Sequence, residues 1–485
     1  MKKTVQFAWL ICLVLLVSAL MFTACRNKNN NTEATLGTTS SVEDGKLPSD
    51  GLELILNDGG ESCSIKGIGT CTDTDVVIPD TYMGLPVTAI YDSAFQNCGN
   101  LKSITIPDSV IDIGQWAFYR CSGLTSITIP KNVTTIGVRA FSGCESLTGI
   151  AIPNSVISIG DWAFEDCRSL TSITIGNRVT GISKSTFSGC RNLSSILVAE
   201  GNSKYYSAGN CLIEKGSGIV FLGCQNSIIP TDGSITCIGS SAFSGCSGLT
   251  SITIPDSVTR IESKAFNFCD SLTSVMLGNG ITDIGEGAFF GCDSLTSITV
   301  PNSVTGIGYQ AFYGCTSLAY NEYGNAYYLG NDSNPYHCLV KPKSTDIASC
   351  TVHENTKVIS DYAFQNRHSL TDITIPEGVV YIGVGAFEDC NNLISITIPN
   401  GVTVIDEDIF ADCRSLNSIT VPNSVIEIGK DAFAYCSGLA SITFDGTVAQ
   451  WNSVKKASDW DSRAGEYTIH CTNGTIAKDG TIVYN

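Results

Sequence analysis

The chain has 485 residues, a length that would ordinarily divide into about two to four globular domains. Charged residues make up only 15% of it, against ~25% in an ordinary soluble domain, while 47 Gly and 22 Cys are abundant. The formal charge of −18 repels phosphate backbones, which argues against nucleic acid as a partner.

The first 25 residues read as a targeting segment. Lys2 and Lys3 precede an almost wholly apolar run from Phe7 to Phe22, and Phe22-Thr23-Ala24-Cys25 brings small residues up to a cysteine. This is the layout of a secretory signal. Its ending resembles a bacterial lipobox, which would make Cys25 the lipid-modified first residue of the mature chain, although Phe22 stands where Leu is usual. The alternative is an uncleaved membrane anchor, since the run approaches the ~20 residues of a spanning helix. Either places the rest on the extracellular side of the cell envelope. Residues 26–50 are rich in Asn, Thr and Ser, cannot bury enough surface to repay ordering, and read as a disordered tether. As a loose coil it would span roughly 25–30 Å.

A period of 23 residues then governs the chain. Phe recurs at 95, 118, 141, 164 and 187, resumes at 243, 266, 289 and 312, and again at 364, 387, 410 and 433. Three places after each comes a Cys, from Cys98 and Cys121 to Cys436, with Arg367 the one exception. In the unit from Cys121, Ile127 and Ile129 alternate with Ser126 and Thr128, the pattern of a half-buried strand. Pro130 ends that strand; Val133 and Ile136 supply a second inward edge, and Gly137 permits the next corner. Ala140, Phe141 and Cys144 would share one face of a short helical turn. No single unit can bury its apolar row, so the copies must stack at the ~4.8 Å strand spacing. The spacing predicts a leucine-rich-repeat-like β-solenoid of 23-residue coils, each a short strand, a turn and a short helical turn.

The solenoid is expected over 91–443, with a cap at 51–90 and another at 444–485. The intervals Phe187 to Phe243 and Phe312 to Phe364 are 56 and 52 residues, against 46 for two coils. Tyr-rich irregular coils carrying inserted loops are therefore expected near 199–237 and 319–358.

The unit Cys-Ser-Gly-Leu-Thr-Ser-Ile-Thr-Ile-Pro (121–130), with Val133, Ile136 and Ala140-Phe141, resembles the BspA-like leucine-rich repeat over roughly residues 65–445. Trp451-Asn452-Ser453-Val454 and Tyr467-Thr468-Ile469-His470-Cys471 resemble segments that close such arrays. The resemblance implies a solenoid on a bacterial or protist surface. It also implies adhesion to host matrix or plasma glycoproteins, or to other microbial surfaces.

Candidate sites are few. The cysteines lack a Cys-x-x-Cys pair and form a ladder instead of a cluster, so they read as small buried hydrophobes, with Cys63 and Cys71 the best-placed pair for a disulfide. His337, His353, His368 and His470 lie in irregular segments without a nucleophile motif, and Asp406-Glu407-Asp408 with Asp412 lacks calcium-loop spacing. No catalytic or metal-ligating set and no cofactor is expected. The candidate binding face is the row of outward hydroxyl pairs: Ser103 and Thr105, Ser126 and Thr128, Ser172 and Thr174, Ser251 and Thr253, Ser297 and Thr299, Ser395 and Thr397, and Ser418 and Thr420. The plain alternative is the β-propensity of Thr. A second candidate is the edge beside Ala-Phe, where the copies vary and Trp116, Trp162 and Tyr362 appear; the alternative there is cover for neighbouring coils. A multivalent surface adhesin is the leading functional expectation, and a structural spacer without a dedicated ligand the runner-up.

Overall fold

The computed structural model describes residues 47–485. The signal segment, Cys25 and nearly all of the tether lie outside the described residues.

Each coil carries two strands that pair in parallel with the same strands of the coils before and after. Ser103–Thr105 lies on Ser126–Ile127, and Asp112–Ile113 on Thr135–Ile136 and then Ser158–Ile159. Between regular coils the offset is one repeat, so equivalent positions stack, Ile127 on Ile104 and Ser126 on Ser103. Alternation then sends every Ile of both strands inward: Ile127, Ile129 and Ile136, with Leu124, Val133, Ala140, Phe141 and Cys144, are all buried. The thirteen repeat phenylalanines are buried too and stack nearly parallel, centroids 4.8–5.6 Å apart, in three columns. The columns are Phe95 to Phe187, Phe243 to Phe312 and Phe364 to Phe433.

The expected helical turn beside each Phe is instead a run of tight turns. Alternate amides stay within the coil, as in Tyr119 N–H to Trp116 C=O (3.0 Å) and Cys121 N–H to Phe118 C=O (3.1 Å). The others donate to the next coil: Trp116 to Val138, Phe118 to Ala140 and Arg120 to Ser142 (2.9, 2.7 and 2.8 Å). A helix would keep all of these bonds to itself. Sharing them forces the backbone left-handed twice per turn, at Trp116 (φ 53°) and Arg120 (φ 57°), and at the equivalent positions along the array.

Gly137 serves a different need from the one its sequence position suggests. Its φ is not positive; an added Cβ would lie 2.5 Å from the Gly114 carbonyl carbon and 2.6 Å from the Gln115 nitrogen. Gly160, Gly308 and Gly429 meet the preceding coil equally closely. Neighbouring backbone cannot yield as a side chain does. Gly137→Ala is therefore expected to cost about 1–3 kcal/mol. Urea denaturation checks this, and an unchanged midpoint would refute it.

The two irregular coils are three-stranded antiparallel meanders, not coils with loops. One comprises Tyr205–Ala208, Cys211–Glu214 and Ile219–Leu222; the other Asn321–Tyr323, Ala326–Asn331 and Asn334–Pro342. Their last strands rejoin the parallel stack at Cys237–Ile238 and Val358–Ile359. Each meander is buried on both sides. Leu212 packs with the core before it, while Cys211 and Ile213 pack with the core after it. Neither meander carries an Ala-Phe turn, which is why the Phe column breaks there.

At the N-terminal end, the hairpin of Glu53–Leu56 and Cys63–Gly67 lies beside Leu85–Ile90, covering the first parallel edge. Cys63 and Cys71 are both free thiols. At the other end the helix Val448–Ser453, capped by Thr447 and Gln450, places Trp451 against Phe444 at 5.2 Å. Strands Thr468–Cys471, Gly474–Ala477 and Ile482–Tyr484 then turn the stack antiparallel and finish it.

Candidate ligand-binding faces

Parallel pairing brings the outward hydroxyls into columns: Ser103 beside Ser126, Ser251 beside Ser274 and then Ser297, and Ser395 beside Ser418 and then Ser441. Thr397, Thr420 and Thr443 form the parallel threonine column. The meanders divide this face into stretches, so Ser103 to Thr174, Ser251 to Thr299 and Ser395 to Thr420 are three patches and not one.

Two kinds of hydroxyl alternate on this side of the coil. Thr125, Thr148, Thr171, Thr273, Thr296 and Thr371 each donate to the backbone carbonyl 23 residues earlier, at 2.9–3.4 Å. These stitch coil to coil. The pairs named from the sequence differ. Ser126, Thr128, Ser251, Thr253, Ser297, Thr299, Ser395 and Thr397 are exposed, and their hydroxyls have no protein partner. Ser103 departs from this, donating to Asp75 Oδ1 at 2.5 Å. Thr105, Thr174, Ser418 and Thr420 are half-buried, and Ser172 is exposed.

The aromatic edge is less coherent. Trp116 and Trp162 are each 37% exposed and stand two coils apart, both in left-handed backbone. Between them, Arg139 places its guanidinium over the Trp162 ring (4.9 Å) and pairs with Glu165 (2.7 Å). Tyr362 is not near either. It lies beyond the second meander, half-buried, with its ring edge-on to Tyr309 at 4.6 Å. The three aromatics therefore do not form one site.

The cysteine ladder has a structural chemistry of its own. Sγ of Cys121, Cys144, Cys167 and Cys190 donates to the carbonyl of the Phe 26 residues earlier, at 3.0–3.3 Å, and the same bond recurs from Cys269 to Cys436. That carbonyl already accepts the amide of its own coil's Cys, as when Cys121 N–H donates to Phe118. A small, weakly donating side chain is what fits beside it. Burial pushes the Cys144, Cys390 and Cys436 thiols up to about 12, which leaves them poor nucleophiles.

His337 is buried with Nε2 2.8 Å from the Val304 carbonyl, and burial lowers its pKa. His353 stacks on Tyr336 at 3.9 Å, and His368 lies beside Asp389. No group of three metal-ligating side chains comes together among the described residues, and none of their helices is long and apolar enough to cross a membrane. Around the second meander, Tyr309, Tyr313, Tyr320, Lys341 and Arg367 line a cleft of about 310 Å³ that the sequence did not mark as a site.

Solved structures similar to this chain include bacterial leucine-rich repeat proteins. One from Bacteroides ovatus is 26% identical, covering 86% of this chain and 98% of that one with a TM-score of 0.42. A leucine-rich cell surface protein from Faecalibacterium prausnitzii is 25% identical over 85% and 98%, TM-score 0.31. The pneumococcal vaccine antigen PcpA is 16% identical over 84% and 82%, TM-score 0.43. No curated protein matches the chain. The model of the BspA type leucine-rich repeat region matches residues 88–210, 218–333 and 343–454, well over half the chain, and with this coil geometry the chain belongs to that family.

Proposed function

We propose that this chain is a non-enzymatic surface adhesin, exported and lipid-anchored through Cys25, that recognises host or microbial proteins or glycans. The observation that carries the reading is the contrast between two hydroxyl rows. The Thr125-type row is spent on joining coils, whereas the Ser126/Thr128-type row is exposed without protein partners. Repeated in register, weak hydroxyl contacts add up against a multivalent target. Host matrix or plasma glycoproteins, and the surfaces of other microbes, are the partners such a face suits.

Solid-phase binding of the purified protein to immobilised glycoproteins and a glycan array tests it. Thr253→Glu with Thr299→Glu, both exposed, is expected to weaken binding at least tenfold while leaving the melting temperature unchanged. Trp116→Ala with Trp162→Ala is expected to have the smaller effect. Saturable binding that ignores the face substitutions would move the site elsewhere, and no binding to any partner would leave the spacer reading. Retention of Cys25→Ala in the membrane fraction would count against lipid anchoring.

A further inference from the structure

Both meanders break the amide ladder between Phe turns, Ser185, Phe187 and Gly189 making no inter-coil bond at the first. The first fills the break with its own backbone, and the second leaves it open. In an ordinary pair of coils, Gly287, Phe289 and Gly291 donate their amides to Tyr309, Ala311 and Tyr313, each at 2.8 Å. One coil later the equivalent donors are Gln310, Phe312 and Gly314. Their acceptors would be Asp361, Ala363 and Gln365, and none of the three bonds forms. The coils touch at one end, where Asp361 N–H reaches Ile307 C=O (3.0 Å), and stand apart beside the Phe rings. That gap is the 310 Å³ cleft, at the lower end of the ~300–1,000 Å³ usual for small-ligand sites.

At the first seam the chain does more to close the gap. Gly223 N–H takes the Ala242 carbonyl at 2.8 Å, and Lys184 bridges to Glu262 at 2.8 Å. The Cys position is also kept there, Cys246 donating to Gly223 C=O. At the second seam that position is Arg367, alone among the Phe-marked coils. Its Nη1 donates to Gln365 C=O at 2.9 Å, while Nε is buried without a partner and no carboxylate lies within ion-pair distance. Burial opposes its charge. A guanidinium forced into such a place, with spare amides on the facing wall, is a half-built anion site. The one carboxylate lining the cleft, Asp361, already accepts from Tyr381 Oη and Val384 N–H at 3.1 Å each.

The other walls are tyrosines 309, 313, 320 and 362, with Lys341 Nζ over Tyr320 at 5.0 Å. Their ring faces suit the C–H face of a pyranose, and phenol hydroxyls suit its hydroxyls. We propose that this cleft binds an acidic sugar, its carboxylate held by Arg367 and the unpaired amide of Phe312 and its ring held among the tyrosines. The site is separate from the Ser/Thr face, so either can fail alone.

Isothermal titration of the full chain with glucuronate, galacturonate and N-acetylneuraminate tests it, beside glucose, galactose and a tripeptide with a free or amidated C-terminus. At least one acidic sugar should bind saturably, and its neutral counterpart at least tenfold more weakly. Arg367→Cys restores the residue of the other coils, so the fold should persist, and the acidic sugar should lose at least tenfold in affinity. Tyr313→Ala, at a ring 61% exposed, should weaken both sugar classes. The Thr253→Glu, Thr299→Glu variant should bind the sugar normally. Failure of all three acidic sugars, equal binding by Arg367→Cys, or tighter binding of the free-carboxyl tripeptide would each overturn the proposal.

Discussion

Phe266→Ala is expected to cost about 3–5 kcal/mol, the range for removing a buried aromatic ring from a packed core. Phe266 is fully buried and lies between Phe243 (4.8 Å, 13°) and Phe289 (5.2 Å, 2°), so the cavity would open onto two other rings. The backbone around it cannot collapse inward, because Phe266 N–H is tied to Ala288 C=O at 2.7 Å. The stack is quasi-one-dimensional, so the damage should stay local. Hydrogen exchange should accelerate in the coils of the Phe243 to Phe312 block, with the Phe364 to Phe433 block little changed. Phe95→Ala, at the end of a column with Phe118 as its single stacked neighbour, should cost less. Equal costs at both positions, or exchange that rises along the whole chain, would mean the array unfolds as one cooperative body.

The repeat reached the sequence because the core imposes it. Each inward position of the coil must be filled in the same way in every copy, so Ile127, Phe141 and Cys144 repeat at 23 and are all buried. Backbone hydrogen bonding leaves no such trace. Trp116, Phe268 and Tyr435 adopt left-handed backbone that their side chains disfavour, and nothing in their identity signals turns shared between coils instead of a helix. The antiparallel meanders were hidden for a related reason. With both faces buried, Cys211, Leu212 and Ile213 read as a plain apolar run, which fixes neither strand direction nor partner.

The candidate sites were legible to the same degree. Alternation places Ser126 and Thr128 on the outside but gives Thr125 the parity of the inward Ile127, so nothing in the spacing shows that Thr125 is exposed and donates its hydroxyl to the preceding coil. The seam did have a signal. Arg367 breaks the Cys series in the coil that follows the interval of 52 residues, and a cation replacing a buried thiol requires a local change in packing. Its meaning depends on the missing amide bonds at Gln310, Phe312 and Gly314, which no spacing reveals.

Alkaline pH is expected to unfold the chain over a narrow range beginning near pH 9. Burial holds the thiols of Cys144, Cys390 and Cys436 at about 12, against an ordinary 9.0 in the open chain. Below pH 9 both states keep these protons, and the thiols' contribution to stability is complete. Above it the unfolded chain ionises first, so stability falls by about 1.4 kcal/mol per pH unit for each thiol until the folded form also ionises near 12. Cys390 and Cys436 lie in the same block and together remove roughly 3 kcal/mol per unit from it, a large share of the ~5–15 kcal/mol that holds a typical domain together. Tyr328, pushed up from 10.0 to about 12 by burial, adds to the loss above pH 10. The melting temperature should therefore stay level from pH 7 to 8.5 and drop steeply between pH 9 and 11. Cys144→Ala should soften that slope, having no proton to lose, even if it lowers the starting value. The same shift makes an independent check at pH 8, where a thiol at 12 carries about a thousandfold less thiolate than one at 9. Ladder cysteines should resist a thiol reagent in the native protein and react at once in urea. A melting temperature indifferent to pH 11, or rapid labelling of the folded chain, would place these side chains in contact with water and contradict the buried Cys-to-Phe bonds.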